Sequence, residues 1–426
     1  MRYQFGPFEV DSNAGRLLKH GVPIPLREQP FQVLVTLLSS PGEVISRETL
    51  RSRLWGDSTF VDFENSLNSS ISRLRVALDD FAKKPVWIET VPKRGYRSIG
   101  LAPHSEAVAA YLKGHYVISP HTTESMRKSL GYFTEAIRLD PYYPLPYHGA
   151  ALVFILRSML DDLCPADALP QAEEYLMRGL ECPQKSAMVY NTLAMLRTFQ
   201  RHWTEAEDAS DAALELEPNN PYVVMIRAQL SYCRGNADDS IAQASKAVVL
   251  GPTNSRTHMH LVKALYYARR FEDCVQAGDA GLDVCPDPYM GFYTAFALLE
   301  LGKPEEAMDR VGRVNRPGSP LAVESAMRAF ISAQAGHTDE AHLVLSGLKQ
   351  RRKTAYVPAI AIAWLEMALG HFDNSIDWLL RAVEEKEPFL STATVSPAYD
   401  PLRALGQWST VEQRLKASVI APRQET

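Results

Sequence analysis

The chain opens with short stretches of alternating apolar and polar residues and then changes to helical spacing. In "YQFGPFEVD" and "GRLLKHGVPIPL" the alternation has a period near two, which is typical of β-strands. The next segment, "REQPFQVLVTLLSSPG", places Phe31, Leu34, Val35 and Leu38 on one helical face, and Pro41 follows that face. The pattern therefore predicts small antiparallel strands followed by a helix.

A further helical pattern lies in "ENSLNSSISRLRVALDD". Apolar residues recur there at i, i+4, i+7 and i+11 and predict one buried stripe: Leu67, Ile71, Leu74 and Leu78. The residues that point away from this stripe are mostly small, polar or basic: Asn65, Ser69, Ser72, Arg73 and Val76. No acidic residue lies between positions 65 and 78, whereas solvated helix faces usually mix both charge signs. Such a face suits the major groove of DNA, and a merely solvated face is the alternative.

The segment "WIETVPKRGYRSIG" predicts a β-hairpin with a cationic tip. A turn at residues 92–95 would project Lys93 and Arg94, with Arg97 close behind. Gly95 allows a backbone approach that a β-carbon would hinder. Cations on a hairpin tip suit a phosphate backbone or a narrow minor groove.

Strands, helices and a basic hairpin in this order resemble the winged-helix DNA-binding domain of the OmpR/PhoB response-regulator family. The resemblance runs from about Tyr3 to Ile99 and rests on "FGPFEVD", "GRLL", "FQVLVTLL", "PGEVISRETLRSRLWG", "NSSISRLRVAL" and "IETVPKRGYR". It implies that the helix over residues 65–78 enters the major groove and that the hairpin is the wing. No receiver domain precedes the winged helix in this sequence, so phosphorylation of an aspartate is not the expected input.

The resemblance also implies a set of DNA-binding residues: Asn65, Ser69, Ser72, Arg73, Arg75, Lys93, Arg94 and Arg97. Arg73 would contact a base edge or an adjacent phosphate, and Arg75 would reach the DNA backbone from the helix flank. Val76 departs from the family pattern, because a cation is common at this position in relatives. This departure implies that the helix contributes less phosphate affinity.

The remainder of the chain follows a period of 33 or 34 residues. Small residues recur in one series: Ala206, Ser240, Cys274, Ala307, Ala341 and Ser375. A second series lies twelve positions before the first: Ala194, Ala228, Val262, Ala295, Ala329 and Ala363. Small residues let paired helices cross closely, and proline closes several units, as in "ALELEP" and "GLDVCP". The period predicts stacked helix pairs and resembles tetratricopeptide repeats, about eight of them.

In tetratricopeptide repeats the concave surface is lined by fixed positions of each first helix. The resemblance implies a partner-binding set rich in aromatic residues: Tyr222, Tyr232, Lys263, Tyr266, Tyr267, Tyr289, Phe292 and Phe296. Aromatic residues favour adaptable protein or peptide contacts, and packing between repeats is the alternative of equal weight. Lys263 is the one cation of this set, so clamping of a chaperone's C-terminal carboxylate is not expected.

The expected fold class is mainly α with a small α+β N-terminal domain. In detail, a winged helix-turn-helix would precede an α-solenoid of tetratricopeptide helix pairs. The expected domains are the winged helix at 1–101, the repeat solenoid at 102–400, and a capping segment with a tail at 401–426.

The distribution of charge along the chain predicts that any contact with a polyanion is made by the first hundred residues. The first hundred residues contain 14 of the 45 basic residues and 11 of the 50 acidic residues, a net charge of +3. The rest of the chain contains 31 basic and 39 acidic residues, a net charge of −8. The five cysteines form no CxxC pair and are expected to be reduced thiols in the cytosol. The sequence shows neither a signal peptide nor an apolar stretch of membrane-spanning length, so a cytoplasmic protein without membrane contact is expected.

Motifs for catalysis or for cofactor binding are not found in the sequence. It contains no GxxxxGK[ST], no GxGxxG after a strand and no HExxH. His258 and His260 lie two positions apart and would face different sides of a helix, so no metal site is expected. The protein is therefore not expected to be an enzyme or to hold a cofactor.

The predicted function is that of a sequence-specific transcriptional regulator. The winged helix would read double-stranded promoter DNA, and the solenoid would bind a protein or peptide partner, a ligand or a second subunit. A homodimer on tandem half-sites is expected, because one module of small net charge binds weakly and linked modules gain effective concentration. The alternative is a repeat scaffold whose winged helix no longer binds DNA.

Overall fold

The structure is a computed structural model that describes residues 2–5, 8–19, 21–54, 63–99, 105–118, 122–182, 184–314 and 321–417. Its contacts define two compact units, and each is described by itself. The first comprises residues 1–116, 131–147 and 178–185, and the second comprises 117–130, 148–177 and 186–426. The predicted domain boundary at residue 101 lies outside the described residues.

Antiparallel strands form two sheets in the first unit. They are β1 (Arg2–Phe5), β2 (Phe8–Asp11), β3 (Arg16–Lys19), β4 (Val22–Ile24), β5 (Ile45–Ser46), β6 (Ile88–Val91) and β7 (Gly95–Ser98). The sheet orders are β1-β2-β3-β4 and β5-β7-β6. The predicted alternation is clear in β2, where Phe8 and Val10 are buried and Glu9 is exposed.

Three helices pack with these sheets: α1 (Glu28–Leu38), α2 (Arg47–Leu54) and α3 (Phe63–Ala77). The four stripe residues predicted for α3 are all at most 2% exposed. Helix α1 is buried beyond its predicted face, since Val33 and Leu37 are fully buried too. The Ser46 hydroxyl accepts a hydrogen bond from the Thr49 amide at 3.0 Å, which caps the start of α2.

The helices after residue 104 follow one another as pairs. They are α4 (Ser105–Val117) and α5 (Thr123–Leu139), α6 (Leu145–Met159) and α7 (Pro165–Leu180), α8 (Ala187–Phe199) and α9 (Trp203–Leu216), α10 (Pro221–Cys233) and α11 (Ala237–Leu250), α12 (Ser255–Tyr267) and α13 (Phe271–Val284), α14 (Pro288–Glu300) and α15 (Pro304–Val314), α16 (Ala322–Gln334) and α17 (Asp339–Arg351), and α18 (Ala359–Ala368) and α19 (Phe372–Glu384).

Both series of small residues lie where the helices of a pair cross. Every member of the two series is at most 1% exposed. Cys274 Sγ lies 3.4 Å from the Val262 carbonyl oxygen, and Ser375 Oγ donates to the Ala363 carbonyl oxygen at 2.8 Å. In each of these contacts the two residues lie twelve positions apart, one from each series. The predicted helix pairing is therefore confirmed at the level of individual contacts.

In the six helix pairs from α8–α9 to α18–α19, the turn between the two helices has a residue with left-handed backbone conformation at an equivalent position. Its φ lies between 60° and 95° in all six cases: Arg201, Gly235, Arg269, Gly302, Gly336 and Gly370. The amide of the following residue bonds to a carbonyl five positions earlier, as from Asn236 to Ser231 at 2.9 Å. This arrangement satisfies carbonyl groups that the helix end would leave unpaired.

The second unit continues after α19 with two 3-10 helices, Pro388–Thr392 and Pro397–Tyr399. They lead to α20 (Asp400–Arg403) and α21 (Trp408–Ala417). Three apolar side chains of α21 are buried in the second unit: Trp408, Val411 and Leu415. The mainly α class with a small α+β N-terminal portion is confirmed.

Candidate functional site

The outer face of α3 is open to solvent, as predicted. Its five members are all exposed: Asn65, Ser69, Ser72, Arg73 and Val76. The buried Asp80 carboxylate follows α3 and accepts hydrogen bonds from the amides of Val86 and Ile88, at 2.6 and 2.9 Å. These two bonds attach the C-terminal end of α3 to the start of β6, so helix and hairpin keep a defined relation.

A polar network joins α2, α3 and β7 around the Tyr96 hydroxyl. The Arg47 guanidinium lies over the Tyr96 ring, 5.0 Å from its centroid, and donates to the Tyr96 hydroxyl at 2.9 Å. That hydroxyl donates to Asn68 Oδ1 at 3.0 Å. Arg47 also forms an ion pair with Glu64, the acid in the first turn of α3. This network was not predicted from the sequence, although Tyr96 lies within the "RGYR" motif.

The tip of the β6–β7 hairpin presents two cations. Lys93 and Arg94 are exposed in the turn, where Arg94 N donates to the Val91 carbonyl oxygen at 3.0 Å. A β-carbon at position 95 would lie 2.0 Å from the Ile45 carbonyl oxygen, so only glycine lets β7 approach β5. The predicted close approach at Gly95 is thus confirmed.

The guanidinium groups of Arg75 and Arg97 have protein partners. Arg75 Nη2 donates to the Ile88 carbonyl oxygen and to Thr90 Oγ1, both at 2.9 Å. Arg97 Nε donates to Glu89 Oε2 at 2.8 Å within an ion pair. Both arginines therefore brace the hairpin, Arg75 from α3 and Arg97 from within the hairpin itself. Any contact of these two residues with DNA stays a prediction.

The remaining cations of the set have no acidic partner in the described part of the chain. Carboxylates of the described residues lie beyond ion-pair distance from Arg73, Lys93 and Arg94. The nearby Asp79 is paired with Lys19. Surface arginine and lysine without acidic partners, beside a helix face of small polar residues, can neutralise phosphates and reach base edges.

The aromatic residues predicted for the concave repeat surface lie on α10, α12 and α14 of the second unit. Tyr232, Tyr266, Tyr267 and Phe292 are buried, at 9% exposure or less. Lys263, Tyr289 and Phe296 are half-buried, and Tyr222 is exposed. The buried rings pack against one another, with centroid distances such as 5.1 Å between Tyr232 and Tyr267.

Residues 388–400, here called the covering segment, lie over this aromatic cluster. Ser391 Oγ is 3.7 Å from Cys233 Sγ, and Tyr267 Oη donates to Thr392 Oγ1 at 3.4 Å. Asp400 forms an ion pair with Arg269 at 2.8 Å. The chain itself thus covers part of the surface expected to meet a partner, and a partner role for these residues stays a prediction.

Known proteins resemble this chain in both parts. Residues 21–98 match the family described as "Transcriptional regulatory protein, C terminal". The cholera toxin transcriptional activator of Vibrio cholerae is 41% identical over 76 residues, which are 18% of this chain and 26% of that protein. The chain therefore matches only about a quarter of that relative's length.

Two solved structures are also similar. The DNA-binding domain of Klebsiella pneumoniae RstA, in complex with the RstA box, is 31% identical, with a TM-score of 0.21 over 24% of this chain and 98% of that one. A tetratricopeptide repeat protein from Parabacteroides merdae is 13% identical, with a TM-score of 0.42 over 62% of this chain and all of that one.

The predicted resemblances are confirmed: the chain carries an OmpR/PhoB-type transcriptional regulatory domain followed by tetratricopeptide-like helical repeats. Among the helices that the structure describes, none has the length and apolar character needed to cross a bilayer.

Proposed function

We propose that the protein is a sequence-specific DNA-binding transcriptional regulator. In this proposal α3 lies in the major groove of promoter DNA, and the β6–β7 hairpin contacts the neighbouring backbone or minor groove. The observation that carries the proposal is the shared exposure of Arg73, Lys93 and Arg94, which have no acidic partners among the described residues. The match of residues 21–98 to a transcriptional regulatory family supports it.

The eight candidate DNA-binding residues divide into three roles. Arg73, Ser69 and Ser72 face outward from α3 and would contact base edges or adjacent phosphates. Lys93 and Arg94 at the tip would supply charge without reading sequence. The three remaining residues would act at the margins of the interface: Asn65, Arg75 and Arg97.

Partners beyond DNA belong to the same proposal. A homodimer on tandem half-sites would raise the affinity of a weakly charged module. A protein or peptide partner of the repeats would meet Tyr222 directly, whereas contact with the buried rings would require the covering segment to move. We also propose that the protein acts in the cytoplasm and is not an enzyme.

The proposal is tested with the full chain on an operator selected from random duplex DNA. Arg73→Ala should weaken operator binding by about 1–3 kcal/mol and relax specificity at one base position. Arg94→Ala should weaken binding to all duplexes and lower the slope of log affinity against log salt by about 1. Fluorescence anisotropy over a salt series measures both effects.

Arg16→Ala is the matched control, because Arg16 is an exposed arginine on β3, outside α3 and the hairpin. This variant should bind like the wild type at moderate salt. Operator binding that survives both Arg73→Ala and Arg94→Ala unchanged would contradict the docking arrangement.

A further inference from the structure

A cavity of about 130 Å³ lies within the second unit, beside the covering segment. One methionine from each of four successive first helices lines it: Met159 of α6, Met195 of α8, Met225 of α10 and Met259 of α12. Phe389 of the covering segment lines it as well. Methionine side chains are flexible and polarizable, so this wall can adapt to an apolar body.

One helix provides the cationic side of the cavity. Arg256, His260 and Lys263 lie at i, i+4 and i+7 of α12, which places them on one face. The Tyr232 hydroxyl lies 3.2 Å from His260 Nδ1. Lys263 Nζ lies 5.5 and 5.2 Å from the ring centroids of Tyr232 and Tyr293.

These cations lack counter-ions within the described part of the chain. Among the described residues, carboxylates lie beyond ion-pair distance from the Arg256 guanidinium and from Lys263 Nζ. Burial lowers the pKa of Arg256 more than the charges of Tyr222 and Asp287 raise it. The Asp287 carboxylate accepts hydrogen bonds from the Tyr289 and Met290 amides.

The cluster of Arg256, His260 and Lys263 on one helix face makes this side of the cavity favourable for an anion. Burial lowers the pKa of Arg256. Burial also lowers the pKa of His260 well below its ordinary value, and the charges of Lys263 and Arg256 lower it further. Arg256 and Lys263 are half-buried. A cation partly removed from water without a partner is costly, and an anion between these groups would offset that cost.

We infer that this cavity binds a small carboxylate whose apolar body is about the size of one aromatic ring. The carboxylate would lie between Arg256 and Lys263, and the body would contact the methionine wall. An apolar cavity of about 150 Å³ holds benzene, so the present volume matches a single ring. Because Phe389 and Thr392 line the same cavity, the ligand would also hold the covering segment in place.

The test is isothermal titration of the full chain with benzoate as the probe. Saturable binding is expected, with a dissociation constant on the order of 1 mM or tighter. Benzyl alcohol keeps the ring without the charge, and acetate keeps the charge without the ring. Each should bind at least about tenfold more weakly, which corresponds to 1.4 kcal/mol or more.

Lys263→Met and Arg256→Met should each reduce benzoate affinity about tenfold or more. Lys353→Met is the matched control, because Lys353 is exposed on the same unit and away from the cavity; its affinity should equal that of the wild type. Absent benzoate binding, or binding no tighter than that of benzyl alcohol, overturns the inference. This comparison uses the wild-type chain, so it decides the question even if a cavity variant fails to fold.

Discussion

Arg94 and Arg97 lie three positions apart in one motif, yet their guanidinium groups have different surroundings. Arg94 is exposed at the hairpin tip, whereas Arg97 is half-buried and paired with Glu89 on the neighbouring strand. The spacing of the "KRGYR" motif predicted that both would be near DNA. It could not predict the pairing, because that depends on the register that places Glu89 opposite Arg97.

Arg97→Ala should therefore reduce DNA affinity less than Arg94→Ala does. Its main effect should be on the hairpin, with a loss of at most about 1 kcal/mol in the free energy of unfolding, because partly exposed ion pairs contribute little. Chemical denaturation and anisotropy with both variants measure the two effects. A larger loss of DNA affinity in Arg97→Ala than in Arg94→Ala would contradict the bracing role.

Glu387 predicts a pH dependence of stability. Its buried carboxylate accepts hydrogen bonds from the amides of Ala359 and Ile360 at the start of α18, at 2.5 and 3.1 Å. Burial nevertheless raises the pKa of Glu387 to about 7, above the value near 4.3 expected in an unfolded chain. The folded state thus binds this proton more tightly. The resulting stabilisation is fully present below the unfolded pKa and is lost as the pH rises through about 7.

The melting temperature of the wild type should fall between pH 5 and pH 8 more steeply than that of Glu387→Gln. Thermal unfolding followed by circular dichroism measures this difference. Glu384→Gln is the matched control, because Glu384 is exposed at the end of α19 and its replacement should leave the wild-type pH profile unchanged. Parallel pH profiles for the wild type and Glu387→Gln would refute the assignment.

At the scale of elements, close crossing of helices is the feature that sequence periodicity predicted best. Each small-residue position is buried because the two helices of a pair, or of adjacent pairs, meet there. Gly278 of α13 is an extreme case, since an added β-carbon would lie 2.0 Å from Thr294 Oγ1 on α14. Backbone and side chain leave no space there for a methyl group.

Gly278→Ala should lower the free energy of unfolding by about 1–3 kcal/mol, because it overpacks a fixed crossing. Gly347→Ala is the matched control in the interior of α17, where a β-carbon would meet no atom within 4 Å. That variant should raise stability by about 0.5–1 kcal/mol, since alanine costs less helix entropy than glycine. Urea denaturation measures the free energy of unfolding of both variants. Equal effects of the two substitutions would contradict this packing.

Two features of the helices and their connections could not be predicted from the sequence. The left-handed turn residue is arginine at Arg201 and Arg269, so a search for periodic glycine misses the series. The covering segment joins residues far apart in sequence, since Ser391 and Cys233 are separated by 158 positions. No local pattern in residues 388–400 predicts such a contact, because periodicity depends on residues that are close along the chain and not on distant pairs.

At the scale of the whole molecule, charge is distributed unevenly along the sequence. Positive net charge is confined to the first hundred residues, while the chain as a whole carries −5. Non-specific attraction to DNA should therefore be weak, and base contacts by α3 must supply much of the affinity for an operator. In the proposed DNA complex, α3 and the hairpin tip contact one duplex at the same time.

The most direct measurement is site-specific photo-crosslinking of the full chain to its selected operator. A photoreactive residue replaces Ser72 on α3, Lys93 at the hairpin tip or, as the control, Arg16 on β3. Positions 72 and 93 should crosslink to nucleotides within one helical turn, about 10 base pairs, and position 16 should not crosslink. Absence of crosslinks from 72 and 93 in a formed complex, or equal crosslinking from 16, would contradict the account.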